Sequence, residues 1–362
     1  MQTWMRMVTL ACIATTMCAN AQNLSLVINI NPSTDITVPL ANSSAILNGV
    51  VYFNGDDGNG PTLWRTDGTG AGTYARMYAL NGKLYFTPLD PVDGLDPWVS
   101  DGTPSGTIKL NTYGLRKSQT KILKEFVSAG SKVYFNYQIY DIRKGTFSDE
   151  LWGSDGTYAG TSYIYPLKWI DYLRSGGNNV YMSAADGYYT TGTGEEPWIS
   201  DGTASGTHLI RDICPINGTG YNHCDSSYAS TTGLSRYLLE RKDYPVVING
   251  LWYFSKSDGT YGMELWKSDG TSGGTQRLTD INPGSGSACP YFMTEMSNTL
   301  YFIANDGTNG MELWKYPLPS GPATLVKDIV SGAGGSEPIW LTPVDQTLYF
   351  SAWTEDGGRE LW

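Results

Sequence analysis

Leu300-Tyr301-Phe302-Ile303-Ala304-Asn305-Asp306-Gly307, closed a few residues later by Glu312-Leu313-Trp314, is the stretch that decides the fold of this chain. Its first part carries the aromatic and branched residues that suit a pleated, half-buried strand. Asp306-Gly307 admits the positive backbone angles of a tight hairpin, and Glu312-Leu313-Trp314 reads as the returning strand. One unit earlier the same phrase ends in Glu264-Leu265-Trp266 and runs on into Ser268-Asp269-Gly270-Thr271 and Gly274-Thr275. It occurs seven times, anchored at Trp64, Trp98, Trp152, Trp198, Trp266, Trp314 and Trp362. Trp266, Trp314 and Trp362 follow one another at equal steps, whereas Trp98 comes early after Trp64 and Trp266 comes late after Trp198. One unit has therefore lost a segment and one has gained an insertion. A unit of roughly 40–50 residues suits one four-stranded blade, so the expected fold is all-β, a seven-bladed β-propeller. Residues 233–243 carry the one short helical pattern.

The two ends of the repeat complement each other. Residues 23–31 match a fourth strand and its exit, and the chain reaches Trp362 at the end of a third. The expectation is ring closure by the N-terminal strand, residues 24–30 pairing beside Glu360-Leu361-Trp362, which would remove an exposed sheet edge. The short interval between Trp64 and Trp98 predicts that the sheet at Trp64 has lost its outer strand.

The 362 residues carry a net charge of −11, which argues against nucleic acid and against electrostatic binding to anionic membranes. Much of the acidity is the repeated turn Asp, a backbone device. Residues 1–21 read as a signal peptide: Arg6, an apolar run over 7–19, and Ala19-Asn20-Ala21 as the cleavage site. That run is too short to span a bilayer and no later segment is longer, so the expected product is residues 22–362, secreted or at the cell surface, as one repeat domain. Cys12 and Cys18 leave with the signal. Cys214 and Cys224 are a disulfide candidate in an oxidising compartment, and Cys289 reads as a small buried thiol.

Glu150-Leu151-Trp152-Gly153-Ser154-Asp155-Gly156-Thr157, Glu264-Leu265-Trp266-Lys267-Ser268-Asp269-Gly270-Thr271 and the related stretches at Trp64, Trp98 and Trp198 resemble the bacterial ELWxxDGT-repeat family of exported proteins. The likeness covers nearly the whole mature chain and implies a β-propeller. It implies no catalytic residues. Trp314 departs from it, with Lys-Tyr-Pro in place of the Asp-Gly-Thr turn, and Pro97 and Pro197 stand where Leu is usual.

The turn is not the Asp-box of sialidases, because Ser, Asp and Gly are contiguous here, and scattered arginines at Arg143, Arg174, Arg211 and Arg241 make no carboxylate clamp. His208 and His223 are the only histidines, which leaves no Ser-His-Asp order and no metal motif to assemble. Glu195-Glu196 and Asp149-Glu150 are read as surface or turn residues, so no catalytic set is named. Calcium is the one cofactor weighed, at Asp258…Glu264 and Asp306…Glu312, but each loop offers two carboxylates where calcium takes six to eight oxygens, and plain hairpin turns are the favoured reading.

Inserted loops on a rigid scaffold are where binding concentrates. The insertion over 214–244 holds Tyr221, His223 and Tyr228, and smaller expansions hold Tyr140, Tyr188 and Tyr189. Exposed aromatics stack on sugars or anchor protein partners. The expected function is an extracellular ligand-binding or adhesion module for carbohydrate or a surface protein. The alternative is an extracellular propeller hydrolase or lyase acting on polysaccharide.

Overall fold

The computed structural model describes residues 44–47, 50–56, 61–66, 77–87, 96–101, 103, 105–111, 119–187, 192–215 and 245–362. The expectations for residues 1–31, for the lost strand after Trp64, for the helical pattern at 233–243 and for most of the insertion lie outside them. Every regular element described is a β-strand, and all pairings are antiparallel, as the sequence predicts for the fold class. Among the described residues no helix is long and apolar enough to cross a membrane.

The chain divides into two compact units. The first spans residues 1–117 with 121–126 and 154–161. It contains the sheet of Ser44–Leu47 (β1), Val50–Asp56 (β2) and Pro61–Thr66 (β3). It also contains the sheet of Met77–Leu80 (β4), Lys83–Phe86 (β5), Trp98–Ser100 (β6) and Ile108–Lys109 (β7).

The second unit holds most of the chain. Gln119–Ala129 (β8), which begins and ends in it, joins Lys132–Asp141 (β9), Thr146–Ser154 (β10), Ser162–Gly176 (β11), Asn179–Ala185 (β12), Glu196–Ser200 (β13) and His208–Leu209 (β14) in one ladder of seven strands. That ladder is two repeats sharing one strand. Residues 162–167 of β11 pair with β10, and its residues 168–176 pair with β12. Within the second pairing the register shifts twice, around Trp169 and Tyr172 at φ of 49° and 58°. Two four-stranded sheets follow: Val246–Ile248 (β15), Leu251–Lys256 (β16), Glu264–Ser268 (β17) and Gln276–Arg277 (β18), then Tyr291–Met296 (β19), Thr299–Asn305 (β20), Met311–Pro317 (β21) and Thr324–Lys327 (β22). The last sheet has three strands, Ile339–Val344 (β23), Thr347–Thr354 (β24) and Gly358–Leu361 (β25).

One register runs through the repeats. For five of the anchor tryptophans the residue opposite is Phe53 for Trp64, Phe86 for Trp98, Met182 for Trp198, Phe254 for Trp266 and Phe302 for Trp314. Phe350 and Trp362 exchange two backbone hydrogen bonds at 3.1 and 2.8 Å. Such constancy needs identical hairpin entries. Asn249-Gly250, between β15 and β16, takes φ of 52° and 79°, the double positive turn that Asn-Gly supplies at least steric cost.

Within the second unit each sheet packs on the next. Leu151 shares a core with Met182 and Trp198. Tyr181 and Ile199 meet Trp252, Phe254 and Trp266. Tyr253 and Leu265 meet Leu300, Phe302 and Trp314. The anchor rings Trp198 and Trp266 are 4 % exposed, so they fill space between sheets as the aromatic repeat implies.

Candidate functional site

The repeated polar residues form one closed network per turn. At Asp269, the Thr271 amide and hydroxyl donate to Oδ1 at 2.9 and 2.7 Å. The Gly274 amide donates to Thr271 Oγ1 at 3.0 Å, and the Thr275 hydroxyl donates to the Thr271 carbonyl at 2.7 Å. That leaves the Ser268 hydroxyl to donate to Thr275 Oγ1, 2.7 Å away, while it accepts the Gly270 amide at 3.1 Å. The set recurs at Asp155 and Asp201. All of it but the Ser–Gly bond is seen at Asp101. The hydrogen bonds from the Thr side chain lower all four Asp pKa values.

A tyrosine ties each turn to the preceding repeat. The Tyr134 hydroxyl reaches the Asp201 carbonyl at 3.4 Å, and Tyr181 has Asp269 as a charged neighbour. In the first unit, Tyr85 stands in the same relation to Asp155. Burial first, and then these Asp charges, push the three phenols up. Where the turn is lost after Trp314, Tyr253 faces Tyr316 instead.

The strongest candidate for chemistry is the carboxylate that stands two residues before every anchor Trp except Trp64. Glu196, Glu264 and Glu312 are buried, and burial raises all three. Glu264 accepts the Thr279 hydroxyl at 2.7 Å and the Ile281 and Asn282 amides at 3.0 and 3.2 Å. Glu312 accepts the Val330 and Ser336 amides and the Ser336 hydroxyl at 3.2, 2.9 and 2.5 Å. Glu196 accepts the Ile213 and Cys214 amides at 3.1 and 3.0 Å, with Lys256 at 3.5 Å and Asp212 nearby. In the first unit, Asp96 takes this position and pairs with Lys109 at 2.7 Å and with Lys121. These groups are spent on the connection to the next repeat.

Two readings are corrected here. Glu196 is not a surface or turn residue, and neither is Asp149, whose Oδ2 accepts the Trp169 amide at 2.8 Å. Spacing does signal this role: the amides bound by Glu196 and by Glu264 lie the same 17 and 18 residues downstream.

Of the predicted binding residues, Tyr140 is half-buried with its ring 4.7 Å from that of Phe147. Tyr188, Tyr189, Tyr221, His223 and Tyr228 lie outside the described residues. Cys214 is disulfide-bonded, and its candidate partner Cys224 lies outside the described residues. Cys289 is a free, buried thiol, pushed up by burial. His208 is exposed on β14. In the two loops weighed for calcium, Asp258 Oδ1 accepts the Thr260 and Tyr261 amides, and Asp306 Oδ1 those of Thr308 and Asn309. Their glutamates are spent as above. Among the described residues no three His, Cys, Asp or Glu side chains converge to hold a metal ion.

No family model and no curated protein matches the sequence. Solved structures do. A prolyl endopeptidase matches at 13% identity and a TM-score of 0.47, covering 87% of this chain and 46% of its own. An acylaminoacyl peptidase from Pyrococcus horikoshii matches at 10% and 0.43, covering 88% and 51%. The β-propeller domain of the Trilobed protease from Pyrococcus furiosus matches at 10% and 0.30, covering 79% and 96%. The chain thus spans about half the length of the first two peptidases. The expectation of a glycan- or protein-binding module, with a polysaccharide hydrolase or lyase as alternative, is corrected by this finding, since the matched chains are peptidases. At these identities the peptidases lend this chain no residue roles.

Proposed function

We propose that this chain is the propeller scaffold of a peptide-processing protein, its repeats holding the architecture and not performing the chemistry. The observation that carries the scaffold reading is the closed network at the turns: the Ser, Asp and both Thr side chains are spent on their own turn, and the buried Glu on the next connection. The three hydroxyl protons of Ser268, Thr271 and Thr275 are all donated within the turn, so none is left to offer a substrate. The peptidase setting comes from the names of the matched chains and is the part an experiment must decide. The purified chain should release no fluorophore from prolyl and N-acyl-aminoacyl peptide substrates. In its native extract it should co-elute with a serine hydrolase labelled by a fluorophosphonate probe. Turnover by the chain alone overturns the scaffold reading. Elution free of any labelled species overturns the peptidase setting.

The finer architecture is part of the same proposal. Seven anchor tryptophans, five of them with a Phe or Met register partner, support seven blades, and the fourth-strand pattern over 24–30 supports closure of the ring beside β25. Deleting residues 22–31 should lower the melting temperature by several degrees, and an unchanged midpoint would count against closure. Export after cleavage at residue 21 and kinship with the ELWxxDGT-repeat family complete the reading. N-terminal sequencing of the secreted product tests the first.

A further inference from the structure

The hairpin of β9 and β10 breaks the repeat at its tip. The corresponding turns of later repeats carry Asp258-Gly259-Thr260 and Asp306-Gly307-Thr308, but this one carries Asp141-Ile142-Arg143-Lys144-Gly145. We propose that this tip docks the protein on an anionic bilayer surface.

The geometry is built for presentation. The Lys144 and Gly145 amides donate to the Asp141 carbonyl at 3.2 and 2.8 Å, and the Arg143 amide donates to Asp141 Oδ1 at 3.0 Å. The turn is thus pinned from below while residues 142–145 stand in solvent. Ile142 is 60 % exposed and Phe147 47 %, with Tyr140 against the Phe147 ring. Cations surround these apolar groups. Arg143 and Lys144 are on the turn, and Lys168 Nζ donates to the Phe147 carbonyl at 2.9 Å. Of the hairpin's carboxylates, Asp141 caps the turn from within the tip, Asp149 is buried on the Trp169 amide, and Glu150 accepts the indole N–H of Trp152 at 3.0 Å. In a chain of net charge −11 this tip is therefore a local cationic and apolar point.

Charge and shape together select the occupant. A convex tip encloses neither a peptide nor a sugar, but it can enter the soft boundary between headgroups and acyl chains. There aromatic and aliphatic side chains sink shallowly while Lys and Arg reach back to lipid phosphates. Attraction to the anionic surface acts over about 8–10 Å, so only charges within that reach of the tip weigh on the encounter. One hairpin provides reversible attachment, and the acidic bulk favours tip-first approach.

The test is flotation of the purified full chain with vesicles of phosphatidylglycerol and phosphatidylcholine at low salt, beside vesicles of phosphatidylcholine alone. The chain should float with the anionic vesicles, far less with the neutral ones, and be released by high salt. Removing both cations in R143E/K144E should weaken partitioning by roughly 30-fold or more, at about a fivefold loss per cation. Replacing the apolar side chains in I142S/F147S should abolish retention at moderate salt. Both variants change exposed tip residues, and a melting temperature within a degree or two of the parent shows that loss of flotation is not loss of fold. Absence of flotation with anionic vesicles overturns the proposal, as does undiminished flotation of both variants. Binding of the tip to poly-glutamate with no vesicle binding would assign it to an acidic protein partner and overturn it equally.

Discussion

Gly274 shows how much one residue of the turn decides. A Cβ there would lie 2.0 Å from Asp269 Oδ1, the oxygen that holds the Thr271 amide and hydroxyl. Gly106, Gly160 and Gly206 stand equally close to their own Asp. Gly274→Ala should therefore open the turn and cost about 1–3 kcal/mol, as over-packed sites do, read from the urea midpoint. Gly273→Ala is the control, because a methyl group at that position would meet nothing within 4 Å, and it should leave the midpoint nearly unchanged. Equal midpoints for the two variants would mean that the turn rearranges freely. The Asp-Gly turn was legible from sequence as a backbone device. The hydroxyl pair of Ser268 and Thr275, seven residues apart, was not. No periodicity places those two oxygens together; only the folded turn does.

At the scale of the element, each returning strand is held from both ends of its Glu-Leu-Trp phrase. Glu264→Ala would leave the Ile281 and Asn282 amides and the Thr279 hydroxyl without their acceptor. An unsatisfied buried donor costs about 1–3 kcal/mol, and because these three are partly buried and open to replacement by water a total loss of about 1–3 kcal/mol is expected, with Glu264→Gln milder because it keeps one oxygen. Trp266→Ala should cost about 3–5 kcal/mol, since the ring is buried and its N–H donates to the Lys256 carbonyl at 2.9 Å. Trp362, 37 % exposed, should tolerate the same change better. If both tryptophan variants unfold at the parent's denaturant concentration, packing between sheets is not what these rings do. The strands and their order follow from the sequence because the Phe-to-Trp register repeats. The continuity of β11 does not follow. A repeat boundary reads as a break, yet residues 162–176 run through it as one strand, and the bulges at Trp169 and Tyr172 fall within the pairing with β12, as those at Phe292 and Trp340 fall within the pairings of β19 and β23 with the strands that follow them. The insertion over 214–244 resists reading for another reason: without a periodic partner, its aromatics carry no register to argue from.

Across the molecule, two sets of carboxylates pull stability in opposite directions with pH. Burial holds Glu196, Glu264 and Glu312 above the ordinary glutamate range, with their hydrogen-bond donors and Lys256 only partly offsetting it. A group raised in the folded state contributes stability that is full below its unfolded value, about 4.3, and is lost as pH rises through the folded value. The turn residues Asp101, Asp155, Asp201 and Asp269 are lowered by the Thr hydroxyl and amide bonds. Their contribution is present above about 3.9 and disappears as pH falls through their folded values. Acidification from neutrality should thus first raise the melting temperature, as the three glutamates take protons, and then lower it once the turns lose their charge. The maximum belongs in the mildly acidic range, below about pH 7 and above about pH 4. On the alkaline side, the raised phenols of Tyr134 and Tyr181 keep their support up to about pH 10 and withdraw it as pH climbs through their folded values. Differential scanning fluorimetry from pH 3 to pH 11 measures the whole profile. Glu264→Gln should flatten the rise between neutrality and the maximum, and Asp269→Asn should blunt the fall below it. A melting temperature that drops steadily from pH 7 to pH 4 would mean that the glutamates ionise in the fold without penalty, and the assignment of burial as the dominant influence on them would fail.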